Sequence, residues 1–306
     1  MTRKPLKGPF PLMPFVLNNS GALDLQGLKH NIRRYEQAGV PGYIVFGCMG
    51  ECYAPSFEEF CRVVDTAMET TKGMAVVVGV TYHNTAECVR RAQYADKAGA
   101  DGVMAGPPYL IPCSNEAAVA HYRRLNDAVG TLQILVYNNP ASFHFNITRA
   151  LWDKLMTLDN VKAVKESNGD TGHRANVIAH IAHRINVFSG SEHWFLADSL
   201  VGANSFVGIA APGALAASLA YYEACMKRDL ATAIPFYIKY NDLVTDITGQ
   251  NEVAWLKACA ESGGLRAGPP RLPYQPLDVT IRRRLEKKLK GLRGLATSYG
   301  PSTPTR

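Results

Sequence analysis

Lys165 closes the run Val161-Lys162-Ala163-Val164-Lys165-Glu166-Ser167, which has the length and apolar content of a buried strand. A strand sends alternate side chains to opposite faces, so Lys165 is expected to share a face with Val161 and Ala163 while Lys162 points the other way. An amine carried into an apolar interior loses hydration, which lowers its pKa and leaves part of it as a free nucleophile near neutrality. One strand earlier, Ile134-Leu135-Val136-Tyr137 ends in a phenol suited to proton transfer. An amine nucleophile beside a phenolic acid/base is the equipment of an imine-forming enzyme. The plain alternative is a lysine at a strand end that extends to solvent.

The elements that must position these two groups recur along the chain. β-branched runs stand at Phe15–Leu17, Tyr43–Phe46, Ala75–Val78, Gly102–Met104, Ile134–Tyr137, Val161–Lys165, Ile185–Ser189 and Ser205–Ile209. Between them lie stretches of helical period, among them Leu25–Ala38, Phe57–Thr70, Thr85–Ala98 and Ala117–Val129. Roughly eight strand–helix units, spaced about 25–35 residues apart, predict an α/β fold of the (β/α)₈ barrel type. A doubly wound open sheet shares the alternation, but no G-x-G-x-x-G follows the first strand and no phosphate-binding G-x-x-x-x-G-K occurs. After about Ala220 the strands stop. The expected division is a barrel over residues 1–222 and a C-terminal helical region over 223–306 that ends in a basic tail.

In such barrels the chemistry sits at the carboxyl ends of the strands. Lys165, Tyr137, the Gly47–Glu51 turn, Tyr109 and Ser189-Gly190 all fall there, which favours the catalytic reading of Lys165.

Composition narrows the classes further. With 306 residues and 47% hydrophobic content the chain can bury a large core. The proline-broken N-terminus lacks the apolar run of a signal peptide, and Phe206–Tyr222 is interrupted by Pro212, glycines and serines. Seven cysteines, an odd number scattered through helices and strands, suit reduced thiols in a reducing compartment. A soluble, cytoplasmic protein is expected, without membrane or nucleic-acid partner. The net charge of +7 is matched by the segment from Val279 to Arg306, which has eight basic residues and one acid. That segment reads as an amphipathic helix with a solvated basic face.

Several motifs in chain order make the sequence resemble the dihydrodipicolinate synthase / N-acetylneuraminate lyase family of lysine-dependent aldolases. Gly47-Cys48-Met49-Gly50-Glu51 stands at its carboxylate-binding turn, Tyr137-Asn138-Asn139-Pro140 at its proton-transfer tyrosine, and Val164-Lys165-Glu166 at its imine lysine. Pro108-Tyr109 matches a second tyrosine that relatives lend to a neighbouring subunit, and Gly268–Pro273 matches a C-terminal G-P-x-R-x-P stretch. The resemblance implies catalysis by Lys165 and Tyr137 on pyruvate and an aldehyde, with no cofactor or metal, in a homo-oligomer (tetramer or dimer). Cys48, Met49, Gly50, Tyr109, Phe143, Gly190 and Phe206 form the expected substrate-binding set.

Two departures bear on substrate. Cys48 and Met49 stand where typical synthases carry hydroxyl residues, and a thiol is a weaker hydrogen-bonding partner in a proton relay. The segment Pro140-Ala141-Ser142-Phe143-His144-Phe145 lacks the arginine with which synthases grip an acidic aldehyde. Cys48, Met49, Phe143 and Phe145 suit an apolar or aromatic partner instead. Gly50-Glu51-Cys52, Asn139–Phe145 and Leu265–Pro269 resemble the benzylidenepyruvate hydratase-aldolase branch. The alternatives are a dihydrodipicolinate synthase-like or sugar-acid enzyme using the same lysine, or a 2-oxo acid-binding homologue without turnover. His173, His180 and His183 would suit a metal-dependent aldolase, but their place after the sixth strand predicts an outer helix. Glu51 reads as a structural acceptor of backbone N–H groups.

Overall fold

The computed structural model describes residues 2–299. Among them, eight strands form one parallel sheet: β1 (Pro9–Pro11), β2 (Gly42–Val45), β3 (Ala75–Gly79), β4 (Gly102–Ala105), β5 (Gln133–Asn138), β6 (Val161–Glu166), β7 (Asn186–Ser189) and β8 (Ser205–Gly208). The hydrogen-bonded order is β1-β8-β7-β6-β5-β4-β3-β2. A parallel bridge between Leu12 and Ile44, with the Met13 N–H donating to Ile44 O at 2.8 Å, brings the two ends together.

Around the sheet run α1 (Leu25–Ala38), α2 (Phe57–Thr70), α3 (Thr85–Ala98), α4 (Asn115–Ala128), α5 (Pro140–Phe143), α6 (Arg149–Leu155), α7 (Thr171–Ile181), α8 (Glu192–Leu200) and α9 (Leu215–Met226). Three more helices follow: α10 (Leu230–Leu243), α11 (Glu252–Ser262) and α12 (Val279–Ser298). The chain is a (β/α)₈ barrel with a C-terminal helical region, as its alternation predicts. Helix α9 runs through residue 222, so the barrel passes into that region inside a helix.

Local signals explain the helix limits. Asp24, Ser56 and Asn84 cap α1, α2 and α3 by accepting from backbone N–H groups, and Ser56 with Glu59 completes a capping box. Gly39 and Gly99 end α1 and α3 in the left-handed conformation, at φ 77° and 93°.

The first strand departs from expectation. It is Pro9–Pro11, not Phe15–Leu17. Two prolines remove ladder donors, so the segment reads as a loop. It serves because Phe10 fills the barrel interior and β8 supplies the pairing, Pro9 opposite Phe206 and Phe10 opposite Val207.

Two nested apolar layers make the core. Phe10, Ile44, Val77, Met104, Leu135 and Phe188 fill the barrel, and a larger layer lies between strands and helices. Because both faces are covered, the strands are nearly continuous apolar runs.

The β5–β6 pairing carries a register shift between Ile134 and Leu135. Ile134 opposes Val161, Leu135 opposes Ala163, and Lys162 is left exposed. Val161 therefore packs in the outer layer while Ala163 lies in the barrel interior. The expectation that Val161 shares the face of Lys165 fails here, since one extra residue in a strand inverts the parity before it.

Helix α12 docks through Leu285, Leu289 and Leu292, all buried. Part of its basic face meets acids of the preceding helices: Arg282 pairs with Glu261 at 2.8 Å, Arg284 with Asp246 at 2.9 Å and Lys288 with Asp246 at 3.1 Å. Arg306, counted in the basic tail, lies outside the described residues. Among those described, no helix is long and apolar enough to cross a membrane.

Candidate active site

Lys165 and Tyr137 are brought side by side by strand register. They are paired positions on β6 and β5, and Phe188 of β7 is the partner of Lys165 on its other side. The Lys165 side chain lies inside the barrel, 4% exposed, with Nζ 4.2 Å from the centre of the Tyr137 ring. Burial lowers the Lys165 pKa to about 8, opposed by negative charge on Cys48, Glu252 and Glu192. About a tenth of the amine is then neutral near pH 7.

Tyr137 is shifted the opposite way. Burial, reinforced by charge at Cys48, raises its phenol well above the usual tyrosine range, so the hydroxyl keeps its proton. Asn139 Nδ2 donates to its oxygen at 2.9 Å. Phe143, from the short helix α5, stands edge-on to Tyr137 at 5.1 Å between ring centres and 6.0 Å from Tyr109. Its ring rests on Gly106, where a Cβ would come within 2.5 Å of two ring carbons. Phe143 therefore lines the interior beside the two tyrosines, while Phe145 packs on the outer layer.

The Gly47–Glu51 turn after β2 is held in a bent form. Phe46 and Glu51 bracket it at φ 59° and 57°, conformations that side chains other than glycine rarely take. Glu51 is buried, with Oε1 accepting from the Arg271 backbone N–H at 2.7 Å and Oε2 lying 2.9 Å from Lys257 Nζ. Lys257 also donates to Phe15 O at 2.6 Å and Pro269 O at 2.9 Å. Glu51 is thus a strut tying the turn to α11 and to the Gly268–Pro273 stretch. A Cβ at Gly50 would approach Met13 O to 2.7 Å, so this site is restricted to glycine.

Cys48 and Met49 are half-buried and pack against both apolar layers. The Cys48 thiol is lowered, first by a hydrogen bond from Cys52 and then, against burial, by the Lys165 charge. Gly190 follows β7; a Cβ there would overlap Ser167 Oγ and come within 2.8 Å of Glu166 O, so only glycine fits beside the end of β6.

Phe206 does not join this group. It faces outward from β8, 4.8 Å from Phe195 between ring centres, in the layer beneath α8 and α9. Val207 is the residue of β8 that lies in the interior. Strand alternation gives each face to every second residue, and a one-residue error exchanges the faces.

Three acids complete the surroundings. Buried Glu166 accepts two 2.9 Å hydrogen bonds from Asn138 Nδ2 and one from the Asn168 N–H at 2.8 Å. Glu192 opens α8 and receives the backbone N–H groups of Ile209, Ala210 and Ala211 at 3.0, 2.9 and 2.8 Å, pinning the turn after β8. Glu252 opens α11 and is half-buried, its carboxyl raised by burial and lowered by the charge of Lys165. Sequence reasoning passed over Glu192 and Glu252, because an acid in a helix's first turn is ordinary and nothing local shows what it faces.

The histidines of α7 stand elsewhere. His180 Nε2 lies 2.7 Å from Asp153 on α6, an outer helix, and no cluster of three metal-ligating side chains occurs among the described residues.

The sequence and the fold have counterparts among known proteins. The family model for the dihydrodipicolinate synthetase family matches residues 6–292. A 4-hydroxy-tetrahydrodipicolinate synthase of Methanospirillum hungatei JF-1 is 31% identical over 287 residues, 92% of this chain and 98% of the relative. The sialic acid aldolase of Ruminococcus gnavus superposes with a TM-score of 0.88 at 20% identity, over 96% of this chain and 99% of that one. YagE of Escherichia coli K12, solved with pyruvate, gives 0.88 at 23% identity, over 94% of this chain and 99% of that one. With the family model spanning nearly its whole length, this chain belongs to the dihydrodipicolinate synthetase family of pyruvate-dependent lyases.

Proposed function

We propose that Lys165 forms an imine with pyruvate and that the enzyme makes or breaks the bond between pyruvate and an apolar or aromatic aldehyde, in the manner of a hydratase-aldolase. The observation that carries this reading is a buried amine of lowered basicity beside a phenol held in its acid form.

Neutral Lys165 Nζ adds to C2 of the 2-oxo acid while the Tyr137 hydroxyl protonates the carbonyl oxygen. Loss of water leaves a protonated imine. In cleavage, the electron pair of the C3–C4 bond moves toward the iminium nitrogen, the C4 hydroxyl gives its proton to the tyrosine phenolate, and the aldehyde departs. Protonation of the enamine at C3 and hydrolysis release pyruvate and restore the amine. The backbone N–H groups of Met49 and Gly50 hold the carboxylate, a role that glycine at position 50 and the bent turn support. An arylidene substrate takes up water across its double bond before cleavage.

The choice of aldehyde rests on the lining. Phe143 against Tyr137, with Cys48 and Met49 beside them and no arginine between Pro140 and Phe145, supports a neutral apolar partner. Free thiols at all seven cysteines support a reducing cytoplasm. Leu110 and Ile111, 74% and 76% exposed next to Tyr109, support a homo-oligomer, dimer or tetramer, in which a neighbouring subunit covers them.

A second reading, condensation of pyruvate with aspartate semialdehyde, is favoured by the name of the Methanospirillum relative. Borohydride reduction with pyruvate, followed by peptide mapping, tests the imine. Turnover of pyruvate with aromatic aldehydes against aspartate semialdehyde then separates the two readings. An unmodified Lys165 peptide, with activity intact in Lys165→Ala, would refute both.

A further inference from the structure

Four buried carboxylates near the catalytic strands are fully engaged: Glu51 by Lys257 and a backbone N–H, Glu166 by Asn138, Glu192 by three backbone N–H groups, and Asp198 by Arg174 at 2.8 Å. Glu252 is different. Among the described residues no hydrogen bond or ion pair engages its carboxylate. Its position is nonetheless built. Leu256, one helical turn further on and so on the same face of α11, packs into the barrel interior. Val244 and Ile247, just before α11, pack against the same interior cluster. The segment from 244 to 256 therefore covers the barrel mouth, with Glu252 between its anchors.

We propose that Glu252 is a specificity residue whose carboxylate lies beside the aldehyde's place and excludes aldehydes that carry a negative charge. This rests on the imine reading of Lys165. The pyruvate carboxylate is compensated by the turn's N–H groups and by the iminium, whereas an anionic aldehyde finds no such partner. The segment after Tyr137 supplies no arginine. Arg91, whose charge the Tyr109 phenol also feels, is committed to Glu87 at 3.0 Å and to the faces of Phe60 and Tyr82. Lys165, Tyr137 and Cys48 each sense the charge of Glu252, and the Lys165 charge in turn lowers the Glu252 carboxyl against the burial that raises it. A like charge in a water-poor site is repelled more strongly than in bulk water.

The test compares benzaldehyde with 4-carboxybenzaldehyde, the same ring with and without a carboxylate, as partners for pyruvate. The quantity read is the ratio of their kcat/KM values, which does not depend on the fraction of enzyme that folds. Wild type is expected to prefer benzaldehyde. Glu252→Gln should reduce that preference about tenfold or more, while Glu252→Asp, which keeps the charge, should retain most of it. An unchanged ratio in Glu252→Gln, a wild type preferring the carboxylated aldehyde, or one using neither, overturns the proposal. Borohydride trapping of pyruvate on Lys165 is run on the same preparations. A trapped adduct with an unchanged ratio removes this inference alone; no adduct removes the imine reading and this inference with it.

Discussion

Lys165 and Tyr137 are register partners on adjacent parallel strands, and the lysine Nζ lies 4.2 Å from the centre of the tyrosine ring. The contact follows from pairing alone: once Leu135 opposes Ala163, Tyr137 must oppose Lys165 on the same interior face. Burial then separates their acidities in the useful sense, lowering the amine and raising the phenol.

Imine formation is expected to depend on pH through the amine. With the Lys165 pKa lowered to about 8, the nucleophilic form predominates above that value and declines about tenfold per pH unit below it. The rate of pyruvate-dependent borohydride trapping should therefore rise from pH 6 and level off above about pH 8. A profile that keeps climbing toward the ordinary lysine value would show that the amine is hydrated.

Tyr137→Phe removes the proton donor while leaving the ring that packs on Lys165 and Phe143. Turnover should fall on the order of 10²–10⁴-fold, with the fold and pyruvate affinity largely kept. Single-turnover kinetics with circular dichroism as a control measure both, and near-normal kcat would assign the proton transfer elsewhere.

The Cys48 thiol should be alkylated faster than buried Cys88, whose thiol burial pushes up to about 12. Pyruvate should slow the reaction at Cys48, because an adduct on Lys165 fills the space beside it. Iodoacetamide labelling with mass spectrometry, with and without pyruvate, reads this directly. Equal labelling in both arms would separate the turn from the ligand's place.

Lys257→Met leaves the Glu51 carboxylate buried without its cation. Removing one partner of such a pair costs about 3–5 kcal/mol. Denaturant unfolding should show a loss of this order, and Lys257→Met with Glu51→Gln should recover part of it. A loss below about 1 kcal/mol would mean that water replaces the lysine at the strut.

The alternation of β-branched runs and helical stretches determined the barrel, because periodicity is a local signal. Lys165 and Tyr137 were legible for a related reason: both end apolar strands, and strand ends in this architecture converge on one mouth. What the tertiary structure decided was parity and long-range docking. The register shift at Ile134 turned Val161 outward, Phe206 fell on the helix-facing side of β8, and β1 formed from a proline-flanked segment that local pattern passes over. Glu252 reached the barrel mouth only because α11 folds back across it, fixed by Lys257 to Glu51. Periodicity records which residues alternate along one segment; which segment they meet, and in what register, is settled only when distant parts of the chain pair.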